Sequence, residues 1–425
     1  MIFAYKILTN LIYPFLFIFL YCRVLLKKED TVRFKEKILT KYFNIDKNSK
    51  LDLLWFHAAS IGELKSVIPI IKNINNKSKN IEFLVTTTTL SSSKLASLEF
   101  EKLNNIKHRF IPYDVSHLVE TFLDKWKPKK IFLVDSEIWP NLILKAKKRG
   151  ISIALINARL TKKSFSRWSK FPMTAKKIFN KFDLFLCANQ ETKNYLEKLS
   201  AKNIRYFGNI KFFNEIKKKE FSQNNIQLIK KPRFWVAASI HKEEDIICLK
   251  THLKLKKKFD DIITIIAPRH INRVGQIYNL SKKLNLNTQI LNHNDRILSN
   301  KEIIIINFFG ALQDYFQFAR SVFIGKSLIE RLKYDSGQNP IDAALLNCKI
   351  YHGPYVSNFD EIYQILKKNH IAKEIKNYNE LSLNLETDLK DIQENKRNLP
   401  NQFLKNLSQN ILSKTMQTVE NFIND

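Results

Sequence analysis

Cysteine is scarce in this sequence. Its 425 residues include four cysteines, Cys22, Cys187, Cys248 and Cys348, and no two of them form a Cys-x-x-Cys pair. Cysteines this far apart argue against a disulfide framework and against a zinc site, and they indicate a reducing compartment.

The sequence also lacks the signatures of several other protein classes. No RRM, KH or zinc-finger pattern is present, so we expect no dedicated nucleic-acid role. The segment Gly325-Lys326-Ser327 is similar to the end of a P-loop, but Arg320 stands where that motif requires its first glycine, and we reject a P-loop there. No small-residue cleavage pattern follows the apolar N-terminal segment, so we expect no removed signal peptide.

Acidic residues are few relative to basic ones. The chain has 71 Lys and Arg against 40 Asp and Glu, and its formal net charge at pH 7 is +31. The basic residues are mostly Lys and are scattered along the chain, so we expect most of them on the solvated surface. A surplus of this size attracts anionic membrane or a phosphorylated substrate. The length allows about two or three domains.

An apolar segment opens the chain. Residues 7–26 are almost wholly apolar, broken by Thr9, Asn10 and Pro14, and the segment is long enough to span a bilayer. Basic residues are concentrated on its C-terminal side, which by the positive-inside rule predicts that the body of the protein lies in the cytoplasm. Two alternatives remain open: a helix embedded in one leaflet without crossing, and a buried core helix.

The most informative stretch is residues 51–63. An apolar run, residues 53–56, predicts a buried strand, small residues follow, and an amphipathic helix begins at Leu64. Glu63 falls in the first turn of that helix, at the end of a strand where α/β folds bind ligands. A carboxylate there is placed to take a proton from a substrate hydroxyl. The alternative is that Glu63 only caps the helix.

The first half continues as alternating strands and helices, which predicts a mostly parallel sheet. The strand at residues 131–134 ends in an acidic and aromatic cluster that contains Asp135 and Glu137, and Lys211 follows a glycine at a later strand end. We interpret these three residues as candidates for the same site. The alternatives are a loop-capping carboxylate pair and an ordinary surface lysine. Residues 109–113 are predicted as a strand.

The pattern restarts in the second half, which predicts a second Rossmann-like domain that faces the first across a cleft. A strand at residues 234–238 is followed by small residues and then by Glu243 and Glu244, much as residues 55–63 are arranged. Another strand ends in Pro268-Arg269-His270, where the arginine can bind a phosphate in bidentate fashion. From residue 371 onward the sequence is polar and reads as helical, and the last helix is a candidate to pack back across both domains.

Residues 336–344 predict a helix start. Asn339 suits the N-cap, Pro340 the first helical position and Asp342 the third. The backbone N–H groups there can receive a nucleotide phosphate, and Asp342 can accept hydrogen bonds from ribose hydroxyls. An ordinary capping box explains the same residues.

Taken together, these motifs resemble the 3-deoxy-D-manno-octulosonic acid (Kdo) transferases of lipid A biosynthesis. The resemblance covers nearly the whole chain, including the N-terminal segment. It is carried by residues 57–63, 136–141, 157–160, 208–212, 239–241 with 243–244, 268–270, and 339–340 with 353–354 and 358–359.

The resemblance implies a GT-B glycosyltransferase of lipopolysaccharide biosynthesis. It implies an α/β fold with a membrane anchor at residues 1–28, an N-terminal acceptor domain at 29–215 and a C-terminal donor domain at 225–425. It implies CMP-Kdo as donor, lipid IVA as acceptor, inversion at the anomeric centre, and no metal or other cofactor. It also implies attachment to the cytoplasmic side of the cell inner membrane, whose anionic lipid would attract the basic surface.

The resemblance also implies roles for particular residues. Glu63 matches the catalytic base, and Asp135 or Glu137 together with Lys211 match positions that stabilise the transition state. The positions that match the CMP pocket are Pro268, Arg269, Phe309, Gly310, Ala311, Asn339, Pro340, Ile341 and Asp342.

Several positions depart from the family pattern. The family usually has two glycines before the serine in place of Gly325-Lys326-Ser327, Gly-Gly-His-Asn in place of residues 336–339, and Glu in place of Ala311 and Asp342. Two alternatives therefore stay open: a related membrane-associated GT-B enzyme that uses another nucleotide sugar, and a basic membrane scaffold without catalysis.

Overall fold

The computed structural model describes residues 1–43, 47, 50–78, 80–213, 225, 233–390 and 402–425. The chain divides into two compact units, Met1–Asn214 with Leu407–Asp425, and Glu215–Asn406. The predicted linker between two α/β halves falls largely outside the described residues.

In the first unit, the described residues form a seven-stranded sheet in the order β3-β2-β1-β4-β5-β6-β7. All neighbouring strands are parallel. The strands are β1 (Asp52–His57), β2 (Ile81–Thr87), β3 (Ile106–Phe110), β4 (Lys130–Val134), β5 (Ser152–Ala158), β6 (Leu184–Cys187) and β7 (Ile204–Tyr206). Residues 53–56 are at most 2% exposed, as expected for a parallel strand that is covered on both faces.

The first helix of this unit precedes β1, and the next seven helices connect successive strands. They are α1 (Ile2–Leu25), α2 (Ile61–Lys77), α3 (Leu90–Phe100), α4 (Ser116–Trp126), α5 (Pro140–Lys148), α6 (Lys162–Ser169), α7 (Pro172–Phe179) and α8 (Gln190–Lys198), with short 3-10 helices at Arg33–Lys37, Thr40–Tyr42 and Ile210–Phe213. The predicted strand–helix alternation is confirmed.

The second unit repeats the architecture. Its described residues form a parallel seven-stranded sheet in the order β10-β11-β9-β8-β12-β13-β14. The strands are β8 (Phe234–Ile240), β9 (Ile263–Pro268), β10 (Thr288–Leu291), β11 (Ile303–Ile306), β12 (Ser321–Ile324), β13 (Lys349–His352) and β14 (Ala372–Glu374). The helices are α9 (Glu244–Lys256), α10 (Val274–Lys283), α11 (Leu312–Phe316), α12 (Ile341–Leu345), α13 (Asp360–Lys368) and α14 (Tyr378–Lys390), and 3-10 helices lie at Ile271–Arg273 and Glu330–Asp335.

The last helix, α15 (Gln402–Asn424), corrects the predicted C-terminal boundary. From Leu407 onward the chain belongs to the first unit, although the prediction assigned residues 225–425 to the second. Ser408 donates a hydrogen bond to the carbonyl of Phe212, and the ring of Phe422 packs edge-on against Phe132 at a centroid distance of 5.4 Å. The helix is part of the first unit because its apolar face packs against the sheet of that unit.

Two secondary-structure predictions were wrong, and one strand, β10, was not predicted. The third strand lies at Ile106–Phe110 and not at residues 109–113, because Pro112 and Tyr113 leave the sheet after Phe110. β10 is too short and polar to have been recognised. β14 interrupts the stretch from residue 371 that reads as helical, since pairing with β13 decides its conformation and local propensity does not.

Candidate active site

The strand order brings the predicted acidic residues of the first unit together. In sequence the chain moves outward from β1 to β2 and β3, then returns to place β4 on the other side of β1. That reversal is the switch point at which doubly wound sheets bind ligands. Glu63 follows β1 and Asp135 and Glu137 follow β4, so the two adjacent strands deliver all three carboxylates to one edge of the sheet.

Glu63 takes part in capping the start of α2, where Ser60 is the N-cap. Its Oε2 accepts a hydrogen bond from the Ala59 N–H at 2.7 Å, its Oε1 accepts from the Ser60 hydroxyl at 2.9 Å, and its own N–H donates back to Ser60 Oγ. The capping role is therefore present. Burial raises the pKa of Glu63, the negative charges of Asp135 and Glu137 raise it further, and the hydrogen bonds from Ser60 and Ala59 oppose them. A raised pKa is what a general base near neutral pH requires.

Lys211 reaches the same edge from a distant part of the chain. Its Nζ lies 3.1 Å from Asp135 Oδ2, and the two side chains are 14% and 10% exposed. Asp135 has a φ of +64°, a left-handed conformation that Asp tolerates better than most residues. The Lys211 loop is fixed by Asn157, whose Oδ1 accepts from the Ile210 N–H at 3.1 Å.

Two aromatic residues that sequence reasoning left without a role complete this cluster. His57 is fully buried, and its Nε2 lies 3.3 Å from Glu137 Oε2. The indole N–H of Trp139 donates to the same oxygen at 2.5 Å. His57 is the last residue of β1, and Trp139 lies two positions after Glu137. Their positions within these two motifs were the sequence feature from which a role in the site could have been predicted.

The second unit has a cationic cluster at the ends of β8, β9 and β12. Burial lowers the pKa of His241 to about 4, and the positive charges of Lys326, His270, Arg269 and Arg273 lower it further. His241 Nε2 is buried and has no hydrogen-bond partner among the described residues. Positive charge next to an unpaired imidazole nitrogen suits an anionic ligand.

Glu244, the counterpart of Glu63 in the second half, has a different role. It is fully buried, and its carboxylate accepts hydrogen bonds from the backbone N–H groups of His241, Lys326, Ser327 and Leu328. The N–H groups of the segment that looks like a P-loop are thus bound to an internal carboxylate. The similarity in form between the two halves is confirmed, but here the acid holds a loop in place.

The loop around Gly325 is tightly packed. A Cβ on Gly325 would lie 2.5 Å from the Cα of Ile240, so the position requires glycine. The next residue, Lys326, has a φ of +58°, a conformation that glycine adopts without strain. This explains why a second glycine suits that position and why lysine there is a departure.

The predicted nucleotide-binding residues lie on loops at the carboxyl ends of this sheet or close to them. Pro268 ends β9, and the Arg269 N–H donates to the Ile240 carbonyl at 3.0 Å while its side chain is exposed. Phe309 is 66% exposed beside Gly310, which has a φ of +92°, and Ala311 is buried.

The predicted helix start at Asn339 is corrected. α12 begins at Ile341, has Pro340 as its N-cap and is only five residues long. Asn339 Oδ1 accepts from the Ile341 N–H at 3.0 Å from outside the helix, because Pro340 takes the boundary position. Asp342 Oδ2 accepts from Gln313 at 3.0 Å. A phosphate site on this helix terminus loses its basis, since one short turn aligns few peptide dipoles.

No group of three or more His, Cys, Asp or Glu residues in the described part of the chain is placed to hold a metal ion.

The described helices include one that is long and apolar enough to cross a membrane, Ile2–Leu25.

Comparison with known proteins identifies the family. A family model described as 3-Deoxy-D-manno-octulosonic-acid transferase (kdotransferase) matches residues 33–214. The 3-deoxy-D-manno-octulosonic acid transferase of Rickettsia bellii is 30% identical over 98% of this chain and 99% of its own length. The enzyme of the same name from Rickettsia prowazekii is 28% identical over 100% of both chains.

Solved structures agree on the fold. The UDP-GlcNAc 2-epimerase from Neisseria meningitidis superposes with a TM-score of 0.56 at 14% identity, over 86% of this chain and all of the other. The predicted α/β architecture of the GT-B type is confirmed. The full-length match to named relatives also decides between the predicted alternatives: the chain belongs to the 3-deoxy-D-manno-octulosonic acid (Kdo) transferase family and is a Kdo glycosyltransferase.

Proposed function

We propose that this enzyme transfers Kdo from CMP-Kdo to lipid IVA, with inversion and without a metal ion. The observation that carries the proposal is the cluster at the switch point of the first sheet, in which Glu63 lies close enough to Asp135 and Glu137 for their charges to raise its pKa. Lys211 is paired with Asp135 at the same edge. Transfer to a hydroxyl group needs a base to accept its proton, and Glu63 with its raised pKa, next to Lys211, can provide one.

In the proposed reaction, Glu63 removes the proton from an acceptor hydroxyl as that oxygen attacks the anomeric carbon of Kdo. The bond between the anomeric carbon and the phosphate oxygen breaks, and CMP leaves with the electron pair. Attack from the side opposite the leaving group inverts the anomeric centre. Lys211 and the carboxylates of Asp135 and Glu137 set the electrostatic potential around the developing charge, which is commonly a large contribution to catalysis.

The second unit is the proposed source of the donor-binding groups. Arg269, Arg273 and Lys326 provide positive charge beside His241 and His270, at the ends of β8, β9 and β12. The phosphate of CMP and the carboxylate of Kdo are both anions. Phe309, Gly310, Ala311, Asn339, Pro340, Ile341 and Asp342 are the proposed contacts to the nucleoside.

The proposed location is the cytoplasmic side of the inner membrane, with α1 as the anchor. Phe3, Leu8, Leu11, Phe15 and Ile18 are 54–75% exposed, and such a patch marks a membrane or protein contact. The net charge of +31 would favour anionic lipid and the two phosphates of the acceptor.

A transfer assay with full-length protein, lipid IVA and CMP-Kdo generated in situ tests the proposal, with the product mass read by mass spectrometry. We expect a mass gain of one or more Kdo units. Glu63→Gln keeps the size of the side chain and should lose the contribution of a general base, about 10²- to 10⁴-fold in rate. No mass gain from folded wild-type protein would contradict the proposal.

Nucleotide competition tests the donor separately. CMP should inhibit transfer and UDP should not, and metal chelation should leave the rate unchanged. Equal inhibition by UDP would favour a different nucleotide sugar.

A further inference from the structure

One face of α1 is docked on the body of the first unit along the length of the helix. Tyr5, Thr9, Tyr13, Leu16 and Leu20 recur every three or four residues and therefore share a face. The Tyr5 hydroxyl donates to Asp114 Oδ2 at 3.0 Å and the Tyr13 hydroxyl to the Ile38 carbonyl at 2.8 Å. Leu20 is fully buried. Two tyrosine hydroxyls and a buried leucine thus hold the helix in place, and of the residues that interrupt the apolar segment, Thr9 lies on this face while Asn10 and Pro14 are exposed.

A groove of about 340 Å³ lies between α1 and the body. This volume is in the range of about 300–1,000 Å³ found for small-molecule sites. The apolar and aromatic side chains that line it are Ile12, Leu16, Tyr113, Val115, Ile138 and Trp139.

Three of the polar residues at the groove, Tyr5, Thr9 and Asp114, are already hydrogen-bonded. Asp114 Oδ1 accepts from the Leu142 N–H, and its Oδ2 accepts from the Asn141 N–H and from Tyr5. Thr9 Oγ1 accepts from the Asn141 side chain at 3.3 Å. The wall of the groove is therefore mostly apolar, with the Tyr113 hydroxyl as a further polar group, and it suits a hydrocarbon better than a polar ligand.

Trp139 connects the groove to the candidate active site. Its side chain lines the groove, while its indole N–H donates to Glu137 Oε2. His57 lies 3.3 Å from that same oxygen. A ligand in the groove would thus be separated from the carboxylate cluster by a single side chain.

We propose that this groove binds an acyl chain of the lipid acceptor. The inference rests on the proposed function and adds to it a position for the acceptor's hydrocarbon. An acyl chain fits because the outer face of α1, with Phe3, Leu8 and Leu11, is exposed and apolar. A chain that leaves the bilayer beside α1 enters the groove without crossing water, and it places the attached sugar close to Trp139 and Glu137.

Photo-crosslinking tests the proposal directly. A lipid IVA analogue with a diazirine in one acyl chain is bound to full-length protein in mixed micelles and irradiated, and the labelled peptides are identified by mass spectrometry. We expect label on the residues that line the groove, displaced by unlabelled lipid IVA and much less by phosphatidylglycerol. Label confined to the exposed face of α1, or equal displacement by phosphatidylglycerol, would overturn the proposal.

A matched pair of variants on the same helix gives a second readout. Ile12→Trp fills the groove, whereas Ile7→Trp makes the same change at a side chain that is equally exposed, at 43%, and does not line it. We expect Ile12→Trp to reduce groove labelling and to raise the KM for lipid IVA about tenfold, as loss of about 1.4 kcal/mol of binding would, with kcat little changed. Ile7→Trp should change neither. Equal effects of both variants would contradict the proposal.

The two proposals fail in different ways. If wild-type protein does not transfer Kdo to lipid IVA, the proposed function is wrong whatever the labelling shows. If transfer occurs but the label avoids the groove, the function stands and the acyl-chain site is wrong.

Discussion

The ammonium group of Lys211 lies 3.1 Å from the carboxylate of Asp135, a residue 76 positions earlier in the chain. Asp135 leaves β4 with a φ of +64°, and the Lys211 loop begins with Gly208 at a φ of +116°. A Cβ on Gly208 would lie 2.6 Å from Ile411 in the last helix. The pair therefore depends on two special backbone positions and on the packing of α15.

The Lys211–Asp135 pair should be energetically coupled. Lys211→Met leaves the Asp135 carboxylate largely buried without its cation, and loss of one partner of a buried pair costs about 3–5 kcal/mol. We expect the lower part of that range, with Asp135→Asn recovering part of the loss in the double variant. Denaturant unfolding measures this cycle.

An exposed pair in the same unit provides the control. Lys129 and Asp52 form a salt bridge in which both side chains are at least half exposed. Lys129→Met should cost less than about 1 kcal/mol. Equal costs for the two lysine substitutions would show that the Lys211–Asp135 pair has no special role.

The pH dependence of transfer should report the environment of Glu63. A base acts when deprotonated, so kcat/KM should fall as pH decreases through the pKa of Glu63, which burial and then the charges of Asp135 and Glu137 raise above 4.5. Asp135→Asn removes one of the charges that raise this pKa, so the acid limb should move to lower pH even though the rate falls. An Asp52→Asn control should leave the limb in place, and an unmoved limb in Asp135→Asn would contradict the assignment of Glu63 as the base.

Lys326→Gly should improve folding and weaken donor binding. Lys326 has a left-handed φ of +58°, which costs an ordinary residue about 1–2 kcal/mol and glycine almost nothing. Its ammonium group is one of the positive charges around His241, and its loss should raise the Kd for CMP about three- to tenfold. Thermal unfolding and CMP titration measure the two effects, and tighter CMP binding in the variant would show that Lys326 is not a donor contact.

The docked position of α1 predicts that the helix lies at the membrane surface and does not cross the bilayer. Crossing would carry the body that it packs on, including the buried ion pair of Lys37 and Glu29, into hydrocarbon. Lys6 near the start of α1 also contributes, after Lys145 and Arg149, to lowering the pKa of Glu120 on the body. Both ends of the helix should therefore face the cytoplasm.

Cysteine labelling distinguishes the two topologies. In a Cys22→Ser background, Lys6→Cys and Lys28→Cys should react with a membrane-impermeant maleimide from the same side of inverted membrane vesicles. The remaining cysteines are buried and should stay silent. Reaction of Lys6→Cys only in vesicles of the opposite orientation would show that α1 spans the membrane.

Much of the site was readable from the sequence because its signals are local. Glu63 and Asp135 each follow an apolar run, and parallel strands bring their carboxyl ends to one edge of a sheet. The alternation of strands and helices is also a local pattern, and it predicted a doubly wound parallel sheet in each half.

Other features depended on which segments pack against each other in the folded chain. Glu63 and Glu244 follow similar strands, yet Glu63 lies beside two carboxylates while Glu244 is enclosed by the backbone of residues 326–328. The pairing of Lys211 with Asp135, the assignment of the last helix to the first unit and the docking of α1 also join segments that are distant in sequence. Periodicity and turn chemistry determine local structure, but packing between remote segments selects the partners, and that selection exists only in the tertiary structure.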